Sequence, residues 1–277
     1  MEELTDVRYE VEGGLAWITI DRPERLNAFR AHTVDELIAC FTRAWASSDV
    51  GVVCLTGAGD RAFCTGGDQK QRAETGDYGP SASGLFEVER LHTLIRDIPK
   101  PVIAAVNGYA IGGGHVLHVL CDLSIAADTA RFGQTGPRVG SFDAGFGTAY
   151  LARAIGEKRA REVWMLCRQY DAATAERWGL VNQVVSPDEL RAEVRRWADE
   201  ILALSPTALR FVKQSFNADT DHIAGTAKLA FSGLGLFVES EEAVEGDGVR
   251  REAPAGLRAP PRAGIGVDEA PSIRMPP

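Results

Sequence analysis

Asn107-Gly108-Tyr109-Ala110-Ile111-Gly112-Gly113-Gly114-His115 follows directly on the apolar run Val102 to Val106. The run is short, apolar and bounded by Pro99-Lys100-Pro101, so it reads as a buried strand, and the three glycines read as the opening of a helix. The start of a helix carries backbone N–H groups without intrahelical partners, at the positive end of the helix dipole. Glycine lets a ligand approach that backbone closely. A second segment, Ala62-Phe63-Cys64-Thr65-Gly66-Gly67-Asp68-Gln69-Lys70, follows the strand Gly51 to Thr56 and the turn Gly57-Ala58-Gly59-Asp60. Two N–H groups aimed at one oxygen make an oxyanion hole, often the largest single contribution to enolate chemistry. A lone glycine triplet is equally compatible with a tight turn and nothing more. The spacing is not the GxGxxG of a dinucleotide site.

Outward from these segments, strands and helices alternate. Val7 to Ile20 alternates apolar and polar residues around Gly13-Gly14 and predicts a β-hairpin. Ala31 to Ser48 has helical periodicity and is expected to start near Thr33, with Glu36 three residues on, a capping-box signal. A helix from about Leu85 stops at Asp97, and Leu123 to Ala127 is a further strand. Residues 73 to 84, rich in Gly, Ser and acids, read as a mobile loop. This alternation predicts an α/β fold with helices on largely parallel strands. After residue 145 helices take over. Ser186-Pro187-Asp188-Glu189 and Ser205-Pro206 each mark a helix start. We expect a core over residues 1–200, a helical segment over 201–245 and a disordered tail over 246–277, where proline is dense and apolar periodicity is lost.

Composition narrows the function classes. The chain has 277 residues, 45% hydrophobic and 25% charged, an ordinary balance for a globular protein with a sizeable core. A net charge of −9 argues against nucleic acid as a partner, because phosphate backbones need a basic face. Five cysteines at no CxxC spacing read as buried thiols rather than a disulfide or metal framework. No apolar run approaches the roughly 18 residues of a membrane span, and Met-Glu-Glu is unlike a signal peptide, so a cytoplasmic protein is expected. His115 and His118, three apart on one helix face, read as packing residues, since no third metal ligand is evident.

Residues 14 to 245 resemble the crotonase (enoyl-CoA hydratase/isomerase) superfamily. Asp21-Arg22-Pro23 through Asn27-Ala28, both glycine segments and Phe132-Gly133-Gln134 stand in family order. The resemblance implies a spiral of repeated ββα units, a C-terminal helical segment used in trimerisation, assembly as a homotrimer or hexamer, and an acyl-CoA substrate. It places the oxyanion donors at the amides of Gly67 and Gly113. It places contacts to the CoA portion at Arg25, Leu26, Lys70 and Arg72. Read alone, Lys70 and Arg72 are solvated surface charges. Hydratases of the superfamily use two glutamates to position water and move its protons; those positions here hold Val116 and Gly136, neither of which can transfer a proton.

Gln134-Thr135-Gly136-Pro137-Arg138-Val139-Gly140-Ser141-Phe142-Asp143, the stretch His115 to His118, and Trp164 to Tyr170 are similar to 1,4-dihydroxy-2-naphthoyl-CoA synthases of the menaquinone pathway. That resemblance implies a lyase that closes a ring by an intramolecular Claisen (Dieckmann-type) condensation. One subtype has glycine at the position of Gly136 and recruits bicarbonate as base, with contacts that map to Gly112, Gln134, Thr135 and Trp164. Asp143 and Ser141 match its proton-transfer pair and Tyr78 a substrate-contacting tyrosine. Read alone, Asp143 is only a loop acid.

Leu91-His92-Thr93 through Arg96-Asp97, Ser205-Pro206-Thr207-Ala208-Leu209 and Ser215-Phe216-Asn217 are similar instead to 2-ketocyclohexanecarboxyl-CoA hydrolases, which open a β-keto ring with water. Both branches have a tyrosine where this chain has Val238, and both continue past Glu245-Gly246 with Ala-Phe and Lys-Arg-x-Pro segments that are not found here. A catalytically silent acyl-CoA-binding homologue is the third alternative.

Overall fold

Gly13-Gly14 turns the chain between β1 (Val7–Glu12) and β2 (Leu15–Ile20), which pair antiparallel with Val7 opposite Ile20. From β2 onward the chain climbs a parallel sheet through β3 (Val52–Gly57), β5 (Val102–Val106), β7 (Leu123–Ala127) and β10 (Gln183–Val185). All five residues of β5 are buried, as expected of a central strand covered on both faces. The computed structural model describes residues 4–143, 145–238, 240 and 243. The tail expected over 246–277 lies outside the described residues.

A second sheet runs through β4 (Ala62–Cys64), β6 (Tyr109–Ile111), β8 (Arg131–Gly133) and β9 (Gln169–Asp171), the last pair antiparallel. The two sheets are built together. β3 and β4 lead to α2 (Gln69–Thr75), β5 and β6 to α4 (Gly113–Leu120), and β7 and β8 to α5 (Phe146–Ile155). Each is a ββα unit that gives its first strand to the large sheet and its second to the small one. The expected α/β spiral of ββα units is therefore the observed architecture. Its consequence is functional: both glycine segments and the Gln134-Thr135-Gly136 segment leave the C-terminal ends of neighbouring strands, β4, β6 and β8.

α1 (Ala31–Ala46) and α3 (Val88–Asp97) pack together on one face, where Leu37, Phe41, Leu91 and Ile95 are fully enclosed. Two expected boundaries move. α1 begins at Ala31 with Thr33 in its third position, and Glu36 does not close a capping box: its carboxylate accepts from the Thr5 and Asp6 amides at 2.7 and 2.8 Å, pinning the N-terminal segment instead. α3 begins at Val88, three residues later than periodicity suggested. Ser186 does cap as expected, its hydroxyl meeting Glu189 at 2.6 Å ahead of α8 (Leu190–Leu202).

α6 (Glu157–Leu166) and α7 (Ala172–Arg177) flank β9. The chain ends its described course in α9 (Pro206–Ala218) and α10 (Asp221–Phe237). A buried Lys213 ties α9 to the core through Asp122 at 2.7 Å and the Lys100 carbonyl at 3.1 Å. Burying a lysine is tolerable only with such partners.

Candidate active site

The ends of β4, β6 and β8, the loop after α2, the start of α3 and one face of α10 enclose a cavity of about 1000 Å³. Every residue singled out from the sequence lies on its wall: Arg25, Leu26, Gly67, Lys70, Arg72, Tyr78, Gly112, Gly113, Gln134, Thr135, Ser141, Asp143 and Trp164.

The two glycine segments meet face to face. A Cβ on Gly66 would stand 2.8 Å from the amide nitrogen of Gly113, and one on Gly113 would stand 3.4 Å from the Gly66 Cα. Gly66 also holds φ +85°, so both conformation and spacing require glycine there. The Gly66 carbonyl accepts from the Phe29 amide and the Phe29 carbonyl from the Asp68 amide, each at 2.8 Å. These bonds fix the backbone on either side of Gly67 while its own N–H bonds to no described acceptor. The Gly113 N–H, at the first position of α4, is likewise without a described acceptor. Gly112, with φ +58°, turns the chain from β6 into α4, and its amide is spent on the Gly133 carbonyl at 3.0 Å. Tyr78 lies over Gly67, its ring stacked on Phe86 with centroids 4.5 Å apart.

Beyond the glycines the wall holds Asp143. Its Oδ1 accepts from the amides of Gly145 and Gly147, at 3.1 and 3.2 Å, where α5 begins. Its other oxygen has no hydrogen bond among the described residues. Trp164 Nε1 is buried with no described partner. The Gln134 amide nitrogen is 3.0 Å from His115 Nδ1. His115 and His118 are both fully buried against Phe132 and do not border the cavity, in keeping with a packing role. Burial pushes the His115 imidazole down to about 4, and burial with the nearby His115 pushes His118 well below its ordinary value.

At the other end are the cations. Lys70 is exposed, within 4.0 Å of Glu74. Arg72 is buried, so it is not the solvated charge that it resembles when read in isolation. Leu26 and Asn27 both adopt the left-handed conformation that non-glycine residues avoid. Asn27 holds that turn: its side chain donates to the carbonyls of Ala58 and Ala62 and accepts from the Arg22 amide. Among the described residues no group of three or more His, Cys, Asp or Glu could hold a metal. No described helix is long and apolar enough to cross a membrane. All five cysteines are buried and unpaired.

Two parts of the wall were not assigned to the site from sequence: His92 and Glu89 reach the cavity from α3, and Phe231 and Leu234 line it from the last turns of α10, beside Val238, which stands where the resemblance has an active-site tyrosine. The α3 periodicity that places His92 among Val88, Leu91 and Ile95 was the available signal. For Phe231 and Leu234 no local signal existed, because the place of α10 over the cavity is set by long-range packing.

Comparison with known proteins agrees with this architecture. The enoyl-CoA hydratase/isomerase family pattern matches residues 10–242. A carnitinyl-CoA hydratase from Mycobacterium avium is similar at 30% identity and a TM-score of 0.79, over 90% of this chain and 97% of its own. Pseudomonas aeruginosa OdaA is similar at 29% identity and 0.81, over 90% and 99%. An enoyl-CoA hydratase/isomerase from Pseudoalteromonas atlantica T6c is similar at 25% identity and 0.82, over 92% and 100%. This chain belongs to the enoyl-CoA hydratase/isomerase family, the acyl-CoA-processing enzymes of the crotonase superfamily.

Proposed function

We propose that this enzyme forms a carbon–carbon bond by intramolecular Claisen (Dieckmann-type) ring closure of an acyl-CoA, as 1,4-dihydroxy-2-naphthoyl-CoA synthases do, and does not hydrate a double bond. The names of the structural relatives favour water addition. The observation that carries our reading is the absence of carboxylates where hydratases keep two glutamates. Val116 is buried and apolar. A Cβ at Gly136 would stand 2.7 Å from the Ser141 carbonyl, so this loop closes over the space a side chain would need. Without that pair no water is held and relayed, whereas Asp143 remains against the apolar end of the cavity.

In this reading the thioester oxygen accepts from the Gly67 and Gly113 amides, and the negative charge that develops as the α-proton leaves is stabilised there. The enolate carbon attacks the carbon of a carboxyl group farther along the same acyl chain, and as the tetrahedral adduct collapses to a ketone its hydroxyl is protonated and departs as water. Asp143, with Ser141, hydrogen-bonds the acceptor oxygen and carries the proton that ring closure requires. Arg25, Leu26, Lys70 and Arg72 hold the CoA portion, and Tyr78 packs on the acyl group beside Gly67.

The residues proposed for bicarbonate fit a small anion in part. Trp164 lines the cavity and its buried Nε1 is an orphaned donor, and the Thr135 hydroxyl stands beside Gly112. Gly112 and Gln134 already have partners, so they shape the pocket more than they donate to it. Bound there, bicarbonate would supply the carboxylate-like base that Gly136 omits. Synthase activity is expected to rise with added bicarbonate and to fall sharply in Trp164→Phe. The Gln134→Ala variant should fall too, but it also strips His115 of its partner, so Trp164→Phe is the sharper test. Full activity in carbonate-free buffer rules the bicarbonate out. Gly136→Asp would supply a carboxylate of the chain's own and should lessen the dependence on bicarbonate, but it needs a shift of the Ser141 backbone and is not a simple exchange.

We also propose a homotrimer or hexamer assembled through the 201–245 segment that follows the 1–200 core. Supporting it, Phe211, Phe216, Leu229 and Leu236 project from α9 and α10, with Phe216 and Leu229 each 75% exposed. Phe216→Asp should lower the mass measured by light scattering toward that of a monomer; an unchanged mass removes this face from the interface.

Ring opening by a 2-ketocyclohexanecarboxyl-CoA hydrolase-like reaction is the second reading, favoured by His92 on the cavity wall. Incubation with succinylbenzoyl-CoA and with a cyclic β-keto acyl-CoA, followed by mass analysis of products, separates the two. Binding without turnover of either marks the silent homologue.

A further inference from the structure

We infer that His92 is a substrate-recognition residue: its imidazole hydrogen-bonds an oxygen in the acyl portion, distal to the thioester, and so selects acyl groups carrying a keto or carboxyl oxygen over plain hydrocarbon ones. This inference rests on the acyl-CoA site proposed above and names the chemical class of acyl group it takes.

His92 is 2% exposed, and neither ring nitrogen has a hydrogen-bond partner among the described residues. A buried imidazole with both nitrogens unmatched is destabilising by the desolvation of each, so its retention calls for a partner from elsewhere. His118 shares the unmatched nitrogens, but it lies behind the wall against Phe132, whereas His92 borders the cavity. Phe231 stands 5.9 Å away between ring centroids, and the apolar side chains of Val88, Val139 and Leu234 line the same cavity. A hydrocarbon acyl group would fill that space and leave the imidazole unmatched. An oxygen at the same depth would match it.

The charged groups facing His92 set its state. Glu89 is on its own helix three residues before it, and Asp143 approaches from the loop ahead of α5. Burial pushes the imidazole below its ordinary value while the Asp143 carboxylate pulls partly the other way. A neutral ring carries one N–H donor and one acceptor. The N–H can bind a neutral carbonyl oxygen. The two groups therefore divide the work, with His92 donating to a neutral oxygen and Asp143 handling the mobile proton.

The test compares two ligands that differ by one oxygen, 2-ketocyclohexanecarboxyl-CoA and cyclohexanecarboxyl-CoA, by calorimetric titration against wild type, His92→Leu and His92→Asn. Wild type should prefer the keto ligand by about 10-fold, the scale of one good hydrogen bond. His92→Leu should bring the ratio close to one, chiefly by weakening the keto ligand. His92→Asn, which keeps a donor, should retain part of the preference. Equal affinities in wild type overturn the inference by themselves, whether or not the variants fold. An unchanged ratio in His92→Leu overturns it as well. If neither ligand binds, it is the acyl-CoA reading of the site that fails.

Discussion

Turnover is expected to fall by about 100- to 1,000-fold, the usual loss for one oxyanion donor, when the N–H of residue 113 is removed. Two variants approach this from different sides. Gly113→Val adds a Cβ that would stand 2.7 Å from Phe29 Cζ and 3.1 Å from its Cε1. The Phe29 ring borders the cavity, so it has room to swing, but only into the space the acyl group needs. The cost in stability should be that of a modest overpacking, about 1–3 kcal/mol, and the fold should survive. An ester in place of the Gly113 amide is the cleaner change: it removes the N–H and adds no atom to the wall. Because that N–H has no described acceptor within the fold, stability should be almost unchanged while turnover collapses. An ester variant that turns over at near-normal rate sinks the assignment. Gly67 is the weaker position to test, since its Cβ would stand 2.4 Å from the Tyr78 ring and confound the amide with the tyrosine.

Most of the large sheet was legible in the sequence because its strands β1, β2, β3, β5 and β7 are long enough to show themselves, whereas the three-residue β10 was not. Val102 to Val106 is five apolar residues between Pro101 and Gly108, and on either side of Gly13-Gly14 β1 alternates apolar and polar residues while β2 is almost continuously apolar. The small sheet was not legible. Its strands are three residues each, too short for any period, and they exist because the ladder β4-β6-β8-β9 joins distant segments, Ala62 with Tyr109 and Arg131 with Asp171. Yet that sheet is what gathers the site. The glycine segments could be found because backbone chemistry leaves a local mark. The site residues reached through resemblance also converge on the one cavity. His92, Phe231 and Leu234 needed tertiary structure: α10 meets α3 across more than a hundred residues of sequence, and that packing places Phe231 and Leu234 on the cavity wall.

Mild acid should unfold this protein, and the buried histidines are the reason. His115 is fully enclosed, with its Nδ1 facing the Gln134 amide and burial holding its imidazole at about 4. In the unfolded chain the same ring titrates near 6.5. Above that value both states are neutral and the residue contributes no pH dependence. As pH falls from 6.5 toward 4 the unfolded chain takes up a proton that the folded one refuses, so stability declines, and the decline levels off below 4. At about 1.4 kcal/mol per pH unit, His115 alone removes about 3 kcal/mol across this window. His118 and His92 are displaced in the same direction and steepen the loss. Carboxylates held low by ion pairs, such as Asp6 beside Arg30 and Arg22, act at lower pH and extend the loss below this window. Urea midpoints measured between pH 7 and pH 4 should therefore fall most steeply below about 6.5. His115→Gln, which keeps a polar group near Gln134 but cannot take up a proton, should flatten that stretch even if it is less stable at pH 7. A midpoint that holds constant from pH 7 to pH 4.5, or a His115→Gln variant with the wild-type slope, would mean that the buried rings do not govern the acid response.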